Sequence, residues 1–163
     1  MKKFPTSLII TISLILAACQ QPAPVDTEEA DLAIVQGMYD AFAVGDVEAV
    51  VAAMAEDIVW NEAENFPYAD GNPYVGSQAI VEGVFGRIVA EWDYWELDLQ
   101  DKLQRGNRVV FFGRYNAKHK ESGKTISAQF VHLWEVVDGK AASFQQYADT
   151  AQVLAALQSD TAE

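Results

Sequence analysis

Cysteine is nearly absent from this chain of 163 residues: Cys19 is the only one, so no internal disulfide can form. Histidine is almost as scarce. His119 and His132 are the two, neither has a second ligand at zinc spacing, and no metal site is expected. Basic residues are few, 11 Lys and Arg against 24 Asp and Glu. A surface this acidic repels phosphate backbones, so nucleic acid is not an expected partner. The acid is spread along the chain, as on a solvated surface, rather than massed into a binding patch. There is no Gly-rich phosphate loop and no serine-nucleophile elbow, and no organic cofactor is expected.

What is present begins with a short leader. Lys2 and Lys3 precede an uncharged apolar and hydroxyl stretch at residues 7–16, too short to span a bilayer as a helix. Small residues then lead to a cysteine, at Leu16-Ala17-Ala18-Cys19. Residues 1–18 therefore read as a signal peptide that is removed. Losing Lys2 and Lys3 with it leaves nine basic residues against 24 acidic ones, a net charge of −15. Four tryptophans, six tyrosines and eight phenylalanines supply ample core for one domain. Disorder is expected only in the Pro-Ala-Gln tether at residues 19–27 and the tail at 159–163, leaving 28–158 as the folded domain.

Periodicity divides that domain in two. A first helix is expected from about Thr27, with Leu32, Val35, Met38, Tyr39 and Phe42 on one face and Gly45 ending it. Asp46 can cap a second helix that buries Val47, Val50, Val51 and Met54 and closes at Ala55-Glu56-Asp57. Residues 58–62 read as a short strand and 65–76, with two prolines and two glycines, as a loop. A third helix is expected over 77–91. Beyond Trp92 the period becomes two, giving strands at 95–104, 108–120, 124–137 and 140–148. Asp149-Thr150-Ala151-Gln152 has the form of a capping box for a last helical turn. Three helices followed by a bent antiparallel meander make an α+β fold with a conical hollow.

Several stretches resemble known families. Leu-Ala-Ala-Cys resembles a bacterial lipobox, which implies a lipid on Cys19, anchorage in the cell envelope and, in a host with two membranes, sorting to the outer one. Ala43-Val44-Gly45-Asp46, the run Ala55 to Trp60, and His132 to Lys140 followed by Phe144 to Asp149 are similar to the SnoaL-like and ketosteroid-isomerase-like families of the nuclear-transport-factor-2-like superfamily. That resemblance implies a cone-shaped fold, three N-terminal helices on a strongly curved antiparallel sheet, and a homodimer formed through the open sheet face.

Glu62 lies sixteen residues after Asp46, where the isomerases place their carboxylate base. Period two sets Trp60 and Glu62 on one side of the strand, so the carboxyl would sit beside an indole with a raised pKa. It then suits acid/base work; the plainer reading is an exposed glutamate at a strand end. The isomerases' first-helix tyrosine falls on Met38 here, with Tyr39 rotated by about 100° from that direction. In the polyketide-cyclase members a histidine matches His132 and a carboxylate matches Gln146. His132 is thus either Glu62's catalytic partner or a satisfied strand histidine.

Two hairpin registers are open. A three-residue turn at Val137-Asp138-Gly139 sets His132 opposite Phe144, with Phe130, Trp134 and Gln146 on the same face; a two-residue turn sets it opposite Gln145. Tyr39, Trp60, Trp92, Phe130, Trp134 and Gln146 are expected to line the ligand pocket. Arg114 could pair with Glu62 or another acid, or point into a subunit interface. His119, near a charged hairpin tip, is expected to be exposed. The expected ligand is a small apolar molecule, isomerised, dehydrated or hydrated without a cofactor; the alternative is a non-catalytic module that only binds a hydrophobic ligand or another envelope protein.

Overall fold

The computed structural model describes residues 27–158. The expected leader, Cys19 and its lipid, the tether to residue 26 and the tail at 159–163 lie outside the described residues. Helix α1 spans Thr27–Ala43 and buries Val35, Met38 and Tyr39. Gly45, at φ +75°, turns the chain out of it. Asp46 then caps α2 (Val47–Ala52), its carboxylate accepting from the Ala49 N–H at 3.0 Å. The second helix is shorter than its apolar spacing suggests. Met54 through Asp57 belong to strand β1 (Met54–Asn61), because the Ala141 N–H donates to Ala53 O at 2.9 Å and draws the chain alongside the last strand. Pairing overrides the helix preference of Met, Ala and Glu here.

The expected loop holds a 3-10 turn (Ala69–Gly71) and a two-residue strand, β2 (Tyr74–Val75), paired antiparallel with β1. The third helical stretch runs as α3 (Ser77–Ile80), a π-helical turn (Val81–Phe85) and α4 (Gly86–Glu91). Strands β3 (Trp92–Arg105), β4 (Arg108–His119), β5 (Thr125–Val137) and β6 (Lys140–Ala148) form the meander, and α5 (Thr150–Leu157) closes the chain. Asp149 caps α5, accepting from the Gln152 N–H and side-chain amide at 3.3 and 2.7 Å.

One six-stranded sheet results, in the order β2-β1-β6-β5-β4-β3. Only β1 and β6 pair in parallel. Burial alternates strictly along β4 and β5, so Phe111, Tyr115, Phe130, His132 and Trp134 share the face that the helices cover. On β1 and β6, Trp60 lies opposite Phe144 and stacks on it at 3.7 Å between ring centroids. Each large side chain buried in this way contributes about 1.5–3 kcal/mol.

Neither expected register of the last hairpin is the observed one. Asp138 (φ +50°) and Gly139 (φ +72°) form a two-residue turn, so Val137 pairs with Lys140. A bulge between Glu135 and Val136 then shifts the ladder, and His132 pairs with Gln146, Trp134 with Phe144 and Phe130 with Ala148. The shift restores the expected face, because it moves the register by an even number from the three-residue turn. His119 is buried, not exposed: its Nδ1 lies 3.1 Å from Ser122 Oγ, which itself donates to Ala156 O at 2.6 Å and ties the β4–β5 turn to α5. Arg114 points to the opposite face from the helices, donating to Ser127 Oγ at 2.9 Å, and does not pair with Glu62.

A buried carboxyl in an aromatic cavity

The cone holds a hollow, open to solvent at its mouth, with a cavity of about 60 Å³. That is small for a ligand site, so an occupant must be compact. Met38, Val50, Val84, Phe85 and Phe144 are buried parts of its apolar wall. Phe42, Ile88, Trp95 and Leu97 line it too but keep some exposure, and mark its mouth. Five polar side chains face inward: Tyr39, Glu62, Tyr115, His132 and Gln146.

Glu62 stands just past the end of β1 and is 2% exposed. Its backbone is gripped by Asn72, whose Oδ1 accepts from the Glu62 N–H at 3.0 Å while its Nδ2 donates to Glu62 O at 2.8 Å. The next residue is held as well: the Ala63 N–H donates to Gln146 Oε1 at 3.0 Å. Trp60 Nε1 donates to Glu62 Oε1 at 2.6 Å, as the shared strand face predicts. Oε2 is buried and has no partner. Burial raises the carboxyl from 4.5 to about 7, against the smaller opposite pull of the Trp60 N–H and the Gln146 amide. The group therefore exchanges protons near neutrality.

His132 is 4% exposed and sits at the centre of a hydrogen-bonded chain. Tyr39 Oη lies 2.8 Å from Nδ1 and Tyr115 Oη is bonded to Nε2. Trp134 Nε1 donates to Tyr39 Oη at 2.8 Å, and Gln146 Nε2 donates to Tyr115 Oη at 2.9 Å. Burial pushes the imidazole down to about 3, so it is neutral at neutral pH. With both nitrogens engaged it holds the tyrosines rather than meeting Glu62. Burial also holds both phenols well above their ordinary range.

Of the expected lining residues, Tyr39, Trp60, Trp134 and Gln146 are in the wall, together with Glu62 and His132. Tyr39 reaches the site despite its rotation from Met38, because both side chains are turned inward. Trp92 and Phe130 lie behind the wall. Trp92 donates to Tyr68 Oη at 2.8 Å and packs on His119, while Phe130 stacks between His132 and Tyr115 at 4.1 and 4.4 Å. Tyr115 and Asn72 escaped the sequence reading. Tyr115 was marked only by its place in the alternation of β4, and Asn72 by nothing in its loop.

Among the described residues no group of three or more His, Cys, Asp or Glu side chains could hold a metal ion, and no helix is long and apolar enough to cross a membrane.

This curved sheet wrapped over helices around a hollow defines a nuclear-transport-factor-2-like domain. The SnoaL-like domain model matches residues 35–144, and the chain belongs to that family. A nuclear-transport-factor-2-like protein from Burkholderia thailandensis is 34% identical, with a TM-score of 0.75 over 78% of this chain and 97% of that one. Another, of unknown function, from Burkholderia pseudomallei, is 24% identical, with a TM-score of 0.73 over 80% and 98%. TerC, co-crystallised with polyporic acid, is 25% identical, with a TM-score of 0.70 over 78% and 97%. No curated protein matches the chain.

Proposed function

We propose that the cavity takes a small, largely apolar molecule and that Glu62 exchanges a proton with it. Cofactor-independent isomerisation, dehydration or hydration is the compatible chemistry. The observation that carries this reading is the partnerless Oε2 of Glu62, buried in an apolar hollow with a pKa of about 7. An unpaired buried carboxyl oxygen costs stability, and a ligand supplying its partner would recover that cost. The likeness to TerC, solved with polyporic acid, supports a small organic occupant.

The test is proton exchange at the carbon next to the carbonyl of a compact ketone, 1-indanone, followed by deuterium loss or gain in NMR spectra. As a base Glu62 acts when ionised, so the rate should rise through about pH 7 and level off above it. Glu62→Gln should slow exchange by about 10²–10⁴-fold. An unchanged rate in that variant would remove Glu62 from the chemistry. Tight binding without exchange would favour a second reading, a module that only holds a hydrophobic ligand. The engagement of both His132 nitrogens supports that alternative, because it withholds a second acid/base group.

Two further parts of the reading concern the chain's surroundings. Cys19 would carry a lipid that anchors the domain in the cell envelope; the lipobox-like run supports this, and metabolic labelling with a fatty-acid analogue, lost in Cys19→Ser, tests it. A homodimer would use the open sheet face. An apolar band supports it: Phe112, Val131 and Tyr147 are neighbours in register across three strands, on the face without helices, and Tyr147 is exposed.

A further inference from the structure

The hydrogens in the chain around His132 can be counted. Two links join the imidazole to its tyrosines, Nδ1 to Tyr39 Oη and Nε2 to Tyr115 Oη. Each link uses one hydrogen. The two phenols and a neutral imidazole bring three. One is left over, and it must lie on a tyrosine. Neither outer contact absorbs it, since Trp134 Nε1 and Gln146 Nε2 are both donors, and the phenol oxygens already accept from them.

The imidazole tautomer decides which tyrosine keeps the spare hydrogen. With the proton on Nδ1, Tyr39 accepts twice and has an idle O–H, while Tyr115 donates to Nε2. With the proton on Nε2 the roles reverse. Both phenols line the hollow and each bonds only His132 and one outer donor, so what lies beside each oxygen decides: Tyr39 Oη sits on the Trp134 side, where no acceptor faces it. Tyr115 Oη sits on the Glu62 side: Gln146 donates to it through Nε2 and accepts through Oε1 from the N–H of Ala63, next to Glu62, whose Oε2 lacks a partner. The charge of Glu62 is felt at Tyr115 and helps to hold its phenol protonated.

We propose that His132 carries its proton on Nε2, that Tyr115 therefore presents a free O–H to the cavity, and that this donor together with Glu62 Oε2 selects an apolar molecule bearing one carbonyl or hydroxyl oxygen. Tyr115 is the ligand-contacting residue, and His132 is a positioning residue that fixes the direction of its hydroxyl. Ligand selection rests on the small-molecule reading of the cavity; the hydrogen placement does not.

The free protein tests the placement. Long-range nitrogen–proton correlation spectra at pH 7 should show His132 as the Nε2–H tautomer. The Nδ1–H tautomer would overturn the assignment to Tyr115. Binding of 1-indanone and of indane, which lacks only the oxygen, followed by fluorescence of the tryptophans in the wall, tests selection. Wild-type protein should prefer 1-indanone by about five- to tenfold, the value of one neutral hydrogen bond. In Tyr115→Phe the ratio should fall to within about twofold. In Tyr39→Phe both compounds should weaken together and the ratio should persist. A ratio that survives in Tyr115→Phe, or collapses only in Tyr39→Phe, overturns the proposal. If neither compound binds the wild-type chain, the small-molecule reading and ligand selection fall together, and the spectra still decide where the hydrogen lies.

Discussion

Burial leaves Glu62 protonated up to about pH 7 and His132 unprotonated down to about pH 3. The two groups then pull stability in opposite senses. Between pH 4.5 and about 7 the folded chain keeps a proton on Glu62 that the unfolded chain has released. That contribution is full below pH 4.5 and is lost as pH rises through about 7. Between about pH 3 and 6.5 the unfolded chain protonates His132 while the folded chain does not. Its contribution is full above pH 6.5 and is lost as pH falls toward 3. The slopes cancel where they overlap, from pH 4.5 to 6.5. Glu62→Gln removes one of them, so the variant should gain on the wild type by roughly 1.4 kcal/mol per pH unit over that range. Above pH 7 the gain should level at roughly 3 kcal/mol. Urea denaturation at a series of pH values measures it, and two parallel profiles would show that Glu62 titrates normally. The Trp60–Glu62 pairing was legible in the sequence because it needs only period two along one strand. Tyr115 was not, because its place beside His132 depends on the register of two strands and on a side chain reaching past its ladder neighbours.

At the level of elements, β3 to β6 were readable from alternation and turn residues, and α1 from its stripe. The failures share a cause. The strand identity of Met54 to Asp57 comes from pairing with residues nearly ninety positions later, which no local window contains. The bulge in the last hairpin likewise involves a distant partner, because the Val136 N–H beside it donates to Asn107 O at 2.9 Å, in the turn between β3 and β4. A second irregularity, between Leu99 and Asp101 on β3, sits where Gly113 lies opposite. A Cβ on Gly113 would meet Asp98 O at 2.4 Å and the Phe130 ring at 2.7 Å. Both are held, one by the ladder and the other by stacking between Tyr115 and His132. Gly113→Ala should cost about 1–3 kcal/mol, read as a shift in the denaturation midpoint, and should disturb the His132 resonances because Phe130 must move. A midpoint equal to wild type would mean that β3 can step away freely.

For the molecule as a whole, the formal charge of −13 is far from balanced, and among the described residues four ion pairs are seen, all at least partly exposed. Self-repulsion should therefore weaken the fold at low ionic strength. Raising salt from 10 mM to 0.5 M shortens the screening length from about 30 Å to only a few Å, and the melting temperature should rise by several degrees. A flat response would show that the acid is already spaced widely enough. The same acidity limits the surfaces on which two copies can meet, and favours the band of Phe112, Val131 and Tyr147 over the charged rims. Sedimentation equilibrium at high and low salt should give a dimer that tightens with salt.

The parallel seam between β1 and β6 has one more consequence. It zips β1 to β6, so the wall that carries Glu62 is completed by Gln146 only once the chain has been made through β6. No nascent fragment ending before Lys140 can hold the hollow. Occupancy by a small molecule would thus report only on chains that include β6, and would protect them from proteolysis while leaving shorter ones open to it.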